Sequence, residues 1–203
     1  MTQVIEERIE TYKRDLSTLS NTDIGRRHIL QDECYCLTNT QHFKLKRAVS
    51  NEFGLHTTEV HVVGSAKLSF GIAPRKLYRH FSEESDVDVV IVSPQLFDEI
   101  SKDVYEYWRT GGYWERQRDF EHYLFRGWIR PDKLPPSSAF QRASDWWDFF
   151  RRLTESGEFG PYKITGALYS LRAIARASRL ARPGVSLRGE PRIAPPQYRI
   201  LAS

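Results

Sequence analysis

Val60-His61-Val62-Val63-Gly64-Ser65 and, farther along, Ser85-Asp86-Val87-Asp88-Val89-Val90-Ile91-Val92 are the two stretches on which the fold turns. The β-branched run Val60, Val62, Val63 reads as a short strand that stops at Gly64. His61 points away from Val60 and Val62 by alternation and is a satisfied strand histidine with no assigned role. Val87 to Val92 is almost wholly apolar, the composition of a central strand covered on both faces, and it ends at Ser93 and Pro94. Asp86 and Asp88 stand two residues apart at the mouth of that strand. Side chains alternate along a strand, so both carboxylates fall on one face, about 6.5–7 Å apart at the backbone. That separation suits divalent cations. Two such ions roughly 4 Å apart support phosphoryl or nucleotidyl transfer, and Mg²⁺ (or Mn²⁺) prefers oxygen ligands of this kind.

Val62-Val63-Gly64-Ser65 reads as a strand entering a tight turn, followed by residues able to start a helix. Glycine permits close backbone approach, the Ser65 hydroxyl can donate to a phosphate oxygen, and free amides at a helix start attract anions. Lys67 and Ser69 are further candidates for the same phosphates. A strand, Gly64-Ser65 and a later Asp86-x-Asp88 inside an apolar strand resemble the signature of the DNA polymerase β nucleotidyltransferase superfamily. The resemblance covers about residues 56–93 and reaches the rest in outline. It implies an α+β fold: a small mixed β-sheet core flanked by helices, with an N-terminal helical extension. It also implies transfer of a nucleoside monophosphate from an NTP to a hydroxyl of nucleic acid, protein or a small molecule. In that activity Asp86 and Asp88 bind the metal, and Gly64 and Ser65 hold the triphosphate. The Gly-Ser-Ala-Lys-Leu-Ser-Phe segment further resembles bacterial members associated with toxin or antiphage systems.

Two departures from the family pattern stand out. Twenty residues separate Ser65 from Asp86, against the family's usual dozen or so, which suggests an inserted loop. Its Arg75, Lys76, Arg79 and His80 can reach a triphosphate or an acceptor, or equally form a solvated basic loop. Active members also carry a third carboxylate on a later strand. The strand expected here, Tyr162 to Leu168, has Lys163 and Thr165 but no acid. Either Asp145, Asp148 or another acid serves, or the site has lost turnover and the chain is a nucleotide- or RNA-binding regulatory module.

Around this core the sequence reads as helical. Ile5, Ile9, Tyr12, Leu16 and Leu19 keep helical spacing, a second helix runs from the Ser20–Thr22 caps toward Leu37, and Thr38 caps a third that ends near Gly54. Helices are also expected after Pro94 to Gly111, from Trp114 to Phe125, and from about Ala139 to Leu153. The organisation expected is 1–55 helical, 56–170 core, and 171–203 a basic helix and tail, packed as one unit. Trp146, Trp147, Phe149 and Phe150 read chiefly as core, while Trp128 and Arg130 are candidates for a pocket wall.

The net charge of +4 is unevenly placed. From Arg126 onward there are 14 Lys and Arg against 6 Asp and Glu, whereas the first 125 residues carry 16 against 20. The Arg172, Arg176 and Arg179 stripe is therefore a candidate for phosphate or nucleic-acid contact. No apolar run reaches the roughly 20 residues that span a bilayer, and a cytoplasmic protein without membrane association is expected. The two cysteines, Cys34 and Cys36, separated by one residue, are too close for an unstrained bridge and too few for a disulfide framework, and they agree with a reducing compartment. With His28 and His42 they match no common zinc spacing, and on a helix they would point about 200° apart. They read as buried thiols.

Overall fold

The computed structural model describes residues 2–30 and 34–170, which form an α+β fold with a single four-stranded mixed sheet. In α1 (Thr2–Thr18) the residues Ile5, Ile9 and Tyr12 fall on one face and are buried. Ser20 starts α2 (Asn21–Gly25), its hydroxyl accepting from the Asp23 N–H at 3.2 Å. A π-helix at Arg26–Leu30 follows directly, so the helical stretch reaches Leu30 as the sequence suggests, and 35–37 are bends. The helix does not include Leu37. Helix α3 (Asn39–Phe53) opens on a reciprocal Thr38–Gln41 cap and closes on Gly54 at φ +65°, a conformation that glycine adopts without penalty.

The sheet runs β1 (Val60–Val63), β2 (Val87–Val92), β4 (Ile164–Tyr169), β3 (Trp128–Ile129) in spatial order. β1 lies antiparallel to β2, β2 parallel to β4, and β3 antiparallel to β4. A parallel neighbour requires a long crossover. Here it contains α5 (Pro94–Arg109), α6 (Gln117–Phe125), β3 and α7 (Gln141–Glu155), while the short α4 (Gly64–Leu68) follows β1 directly. β4 begins two residues later than the sequence suggests. The two residues of β3 are too few to show a strand period.

Period-two alternation sorts the strands into two faces. Val60, Val62, Val87, Val89, Ile91, Ile164 and Leu168 are buried in one cluster with Leu45 and Val49 of α3, Ile100 and Val104 of α5, and Phe149 and Phe150 of α7. Asp88, Val90, Thr165 and Ala167 occupy the other face and are only partly covered or exposed. β2 is thus not sealed on both faces: its apolar run includes Val90, which is only half-buried. A second cluster joins Ile5, Ile9 and Tyr12 of α1 to Leu68 and Phe70, and the Arg8 guanidinium donates to the Leu68 carbonyl at 3.2 Å. The N-terminal helix is therefore packed onto the segment that follows Gly64-Ser65. No helix among the described residues is long and apolar enough to cross a membrane.

The closest packing in the sheet is at Gly166, where an added Cβ would sit 2.1 Å from Phe150 Cζ. The Phe150 ring is itself hemmed in by Trp146 and Phe149, at centroid distances of 5.2 and 5.1 Å. Gly166→Ala should cost about 1–3 kcal/mol by overpacking. Urea denaturation would measure this, and an unchanged midpoint would contradict the packing.

Candidate active site

Three strands place one row of residues across the open face: Val63 of β1 pairs with Asp88 of β2, which pairs with Thr165 of β4. Chain direction changes immediately after Val63. Gly64 adopts φ +68°, and a Cβ at that position would lie 3.1 Å from Asp88 Oδ2. The glycine thus brings the turn against the carboxylate, and an L-side chain would both strain the backbone and press on the acid. On the other side the Thr165 hydroxyl donates to Asp88 Oδ1 at 2.8 Å. The Gly-Ser turn and the second aspartate, 24 positions apart in sequence, are direct neighbours in space.

Asp86 precedes β2 and is exposed. Among the described residues neither Asp86 nor Asp88 has a Lys, Arg or His nitrogen within ion-pair distance. Asp88 as a residue touches solvent, yet its carboxylate is crowded by the Gly64 turn and Thr165. Burial is the first cause pushing its pKa above the usual carboxylate value; the Thr165 hydrogen bond opposes this, Asp86's charge adds to it, and Lys76 and Lys163 oppose it. An oxygen-donor pair with no ion-pair partner among the described residues, one member of which is disfavoured as an anion, fits a hard divalent cation.

Thr165 occupies the register position beside Asp88 on the neighbouring parallel strand, and its hydroxyl donates to Asp88 Oδ1. Asp145 and Asp148, the alternatives raised from sequence, are elsewhere. They line a different cavity with Glu52, Arg142 and Arg152, and each is held on α7, by Gln141 and Arg151 respectively. Neither lines the cavity beside Asp88 and Thr165.

The remaining candidates divide. Ser65 is half-buried at the start of α4, and its carbonyl accepts from the Ser69 N–H at 2.9 Å. Ser69 is fully buried, and Lys67 is 5% exposed with part of its surface in a second cavity beside α1. Burial removes Ser69 from reach of a phosphate, and Lys67 faces away from the open side of the sheet. Arg75 and Lys76 are exposed on a turn at Pro74–Lys76, and Arg79 pairs with Glu84 at 2.9 Å. The inserted loop is closed on itself: Phe70 bridges to His80, and Phe81 N–H donates to the Ser69 carbonyl at 2.8 Å. Arg172 and Arg176 lie outside the described residues.

A cavity of about 700 Å³ opens beside Asp88 and Thr165, with Lys163, Trp128, Arg130 and Trp147 among its walls. Trp128 stacks on Tyr169 at 5.2 Å, and the Arg130 guanidinium lies 5.2 Å from the Trp128 ring centre. Of the aromatic run on α7, Trp146, Phe149 and Phe150 are core, and Trp147, 45% exposed, is the member left accessible. Of the His28, Cys34, Cys36, His42 set, His28 is engaged elsewhere: its Nε2 lies 2.8 Å from Asp15 Oδ2. The cysteines are half-buried rather than buried and do not diverge, because 34–37 is not helical; their sulfurs approach to 3.8 Å.

The raised Asp88 pKa has a definite sign for stability. Between the unfolded carboxylate value and the raised folded value the native state binds more proton, so this group subtracts stability as pH rises through that window. Asp88→Asn, which keeps an acceptor for Thr165, should stabilise the metal-free protein at pH 7 by less than about 1 kcal/mol, since solvent screens the charge. The gain should vanish below the unfolded aspartate range. Denaturant titrations at neutral and acid pH would check this, and a destabilised neutral-pH variant would contradict it. Thr165→Val should raise the Asp88 pKa still further in a carboxyl-carbon NMR titration; a lowered value would contradict the hydrogen bond's role.

Comparison with protein-family models, with curated proteins and with solved structures finds no match to this chain.

Proposed function

We propose that the protein is a Mg²⁺-dependent nucleotidyltransferase that moves a nucleoside monophosphate from an NTP to a hydroxyl acceptor. The observation that carries this reading is the contact between the Gly64 turn and the Asp88 carboxylate, which joins a phosphate-type turn to an acid pair. Asp86 and Asp88 would hold the cation, and Thr165 fixes the rotamer of Asp88 through its hydrogen bond. When bound, Mg²⁺ or Mn²⁺ supplies Lewis-acid stabilisation of phosphate charge. Gly64 lets the backbone turn close against the Asp88 carboxylate, and the Ser65 hydroxyl beside it would donate to phosphate oxygens. Lys76 and Lys163, whose charges are felt at Asp88, add positive potential on the same side. In the transfer the acceptor oxygen bonds to the α-phosphorus as the bond to pyrophosphate breaks. The hydroxyl proton passes to a carboxylate or to water.

The open face leaves space for both substrates. A cavity with Trp128, Trp147 and Arg130 in its walls suits a planar or anionic group. The basic loop with Arg75, Lys76 and Arg79 is the nearest described candidate for an extended acceptor such as nucleic acid. The family resemblance to toxin or antiphage members belongs to this same reading and adds no residue to it.

One observation favours a second reading. With Thr165 beside Asp88, no third carboxylate serves as general base on β4. A chain of this kind can bind nucleotide without turning it over and act as a regulatory module.

Incubation with labelled NTPs, Mg²⁺ and cellular RNA or protein should yield transferred label. Asp86→Ala plus Asp88→Ala should lower it at least about a hundredfold, the scale on which metal sites lose activity when their support is removed. Transfer that survives the double substitution would overturn the mechanism. Calorimetric binding of ATP with Mg²⁺ but no transfer would select the regulatory module, and no binding would count against both.

A further inference from the structure

Cys34 and Cys36 lie on a segment that none of the chemistry above uses. The bends at 34–37 carry the chain alongside α4, where the Tyr35 N–H donates to the Lys67 carbonyl at 3.2 Å and the Cys36 N–H to the Ala66 carbonyl at 3.0 Å. The two sulfurs stand 3.8 Å apart, and Cys34 Sγ also lies 3.5 Å from the Ala66 carbonyl oxygen. Both thiols are half-buried and packed against the main core, so they retain an opening to small solutes. They are the only cysteines in the chain, which leaves each with one possible intrachain partner.

We propose that Cys34 and Cys36 are a redox-active dithiol that hydrogen peroxide closes to an intrachain disulfide. The pair is asymmetric. The two sulfurs share a hydrogen bond in which either can be the donor, and this bond is the largest effect holding the Cys34 pKa below the ordinary thiol value, with Lys67 adding a smaller contribution. The same contact, together with burial, pushes Cys36 up. Cys34 is therefore the attacking sulfur.

The Cys34 thiolate attacks one peroxide oxygen, the O–O bond breaks, and the departing hydroxide takes a proton to leave as water. Cys34 is then a sulfenic acid. With the Cys34 negative charge gone, a principal cause of the raised Cys36 pKa is gone too. Cys36 loses its proton and attacks the Cys34 sulfur, and hydroxide leaves with that proton as a second water. Two thiols and one peroxide give one disulfide and two waters. Bond formation requires the sulfurs to approach by about 1.7 Å from their present 3.8 Å, and a bridge across one intervening residue is strained and therefore readily reduced again. Closure also withdraws the Cys34 sulfur's contact with Ala66, the residue after Ser65.

The full chain is treated with hydrogen peroxide, remaining thiols are alkylated, and the intact protein and its peptides are weighed. The expected product is a monomer that has lost two hydrogens, binds no alkylating agent and regains both thiols on reduction. In Cys36→Ser, Cys34 should stall as a sulfenic acid trapped by a dione reagent; in Cys34→Ser, Cys36 should react about tenfold more slowly or less. Circular dichroism establishes that both variants are folded. Full alkylation of both cysteines after peroxide treatment that oxidises free cysteine would overturn the proposal. So would a disulfide-linked dimer as the product, or equal reactivity of the two single variants.

Discussion

The alternation of side chains along β2 is the constraint on which the rest depends. Val87, Val89 and Ile91 must enter the core shared by α3, α5 and α7, and the strand has no freedom to slip by one residue without exposing all three. Asp88 is thereby forced to the opposite face. Pairing then does the remainder: the antiparallel partner brings Val63 beside Asp88 and sets the Gly64 turn against the carboxylate, while the parallel partner brings Thr165 within 2.8 Å. The site is a by-product of burying three apolar side chains in the only register available.

Much of this was legible in the sequence, for identifiable reasons. The Val60–Val63 and Val87–Val92 strands announced themselves by β-branched runs with abrupt ends, and the Thr38 and Gly54 caps marked α3 by side-chain and backbone chemistry that acts locally. What stayed hidden depends on pairing across long stretches of chain. Thr165 could be seen as a non-acid in a strand, but not as the hydrogen-bond partner of Asp88, because the register of a parallel pair is set by the whole crossover between them. Lys67 and Ser69 looked like phosphate ligands because they follow Gly64-Ser65; the curl of α4 turns them away from the open face. Asp145 and Asp148 failed for a similar reason, since α7 offers its Phe149–Phe150 side to the sheet and its acids to another cavity.

The cysteines show the same limit from the other direction. Periodicity extended the second helix toward Leu37, and a helix would have held the thiols apart. The chain is helical through Leu30, and at 34–37 it is not helical but hydrogen-bonded to Ala66 and Lys67. The dithiol, the docked helix α1 through Arg8, and the Gly64-Ser65 turn therefore all bear on the same five-residue helix.

The most direct test of the central claim is to locate a paramagnetic cation on the folded chain. Backbone amide NMR spectra would be recorded as Mn²⁺ is added in the presence of a non-hydrolysable NTP analogue. The expected result is selective broadening of Gly64, Ser65, Val87, Asp88 and Thr165, abolished by Asp86→Ala plus Asp88→Ala. Broadening centred elsewhere, or unchanged by the double substitution, would contradict the assignment of the acid pair and the Gly64 turn as one metal and nucleotide site.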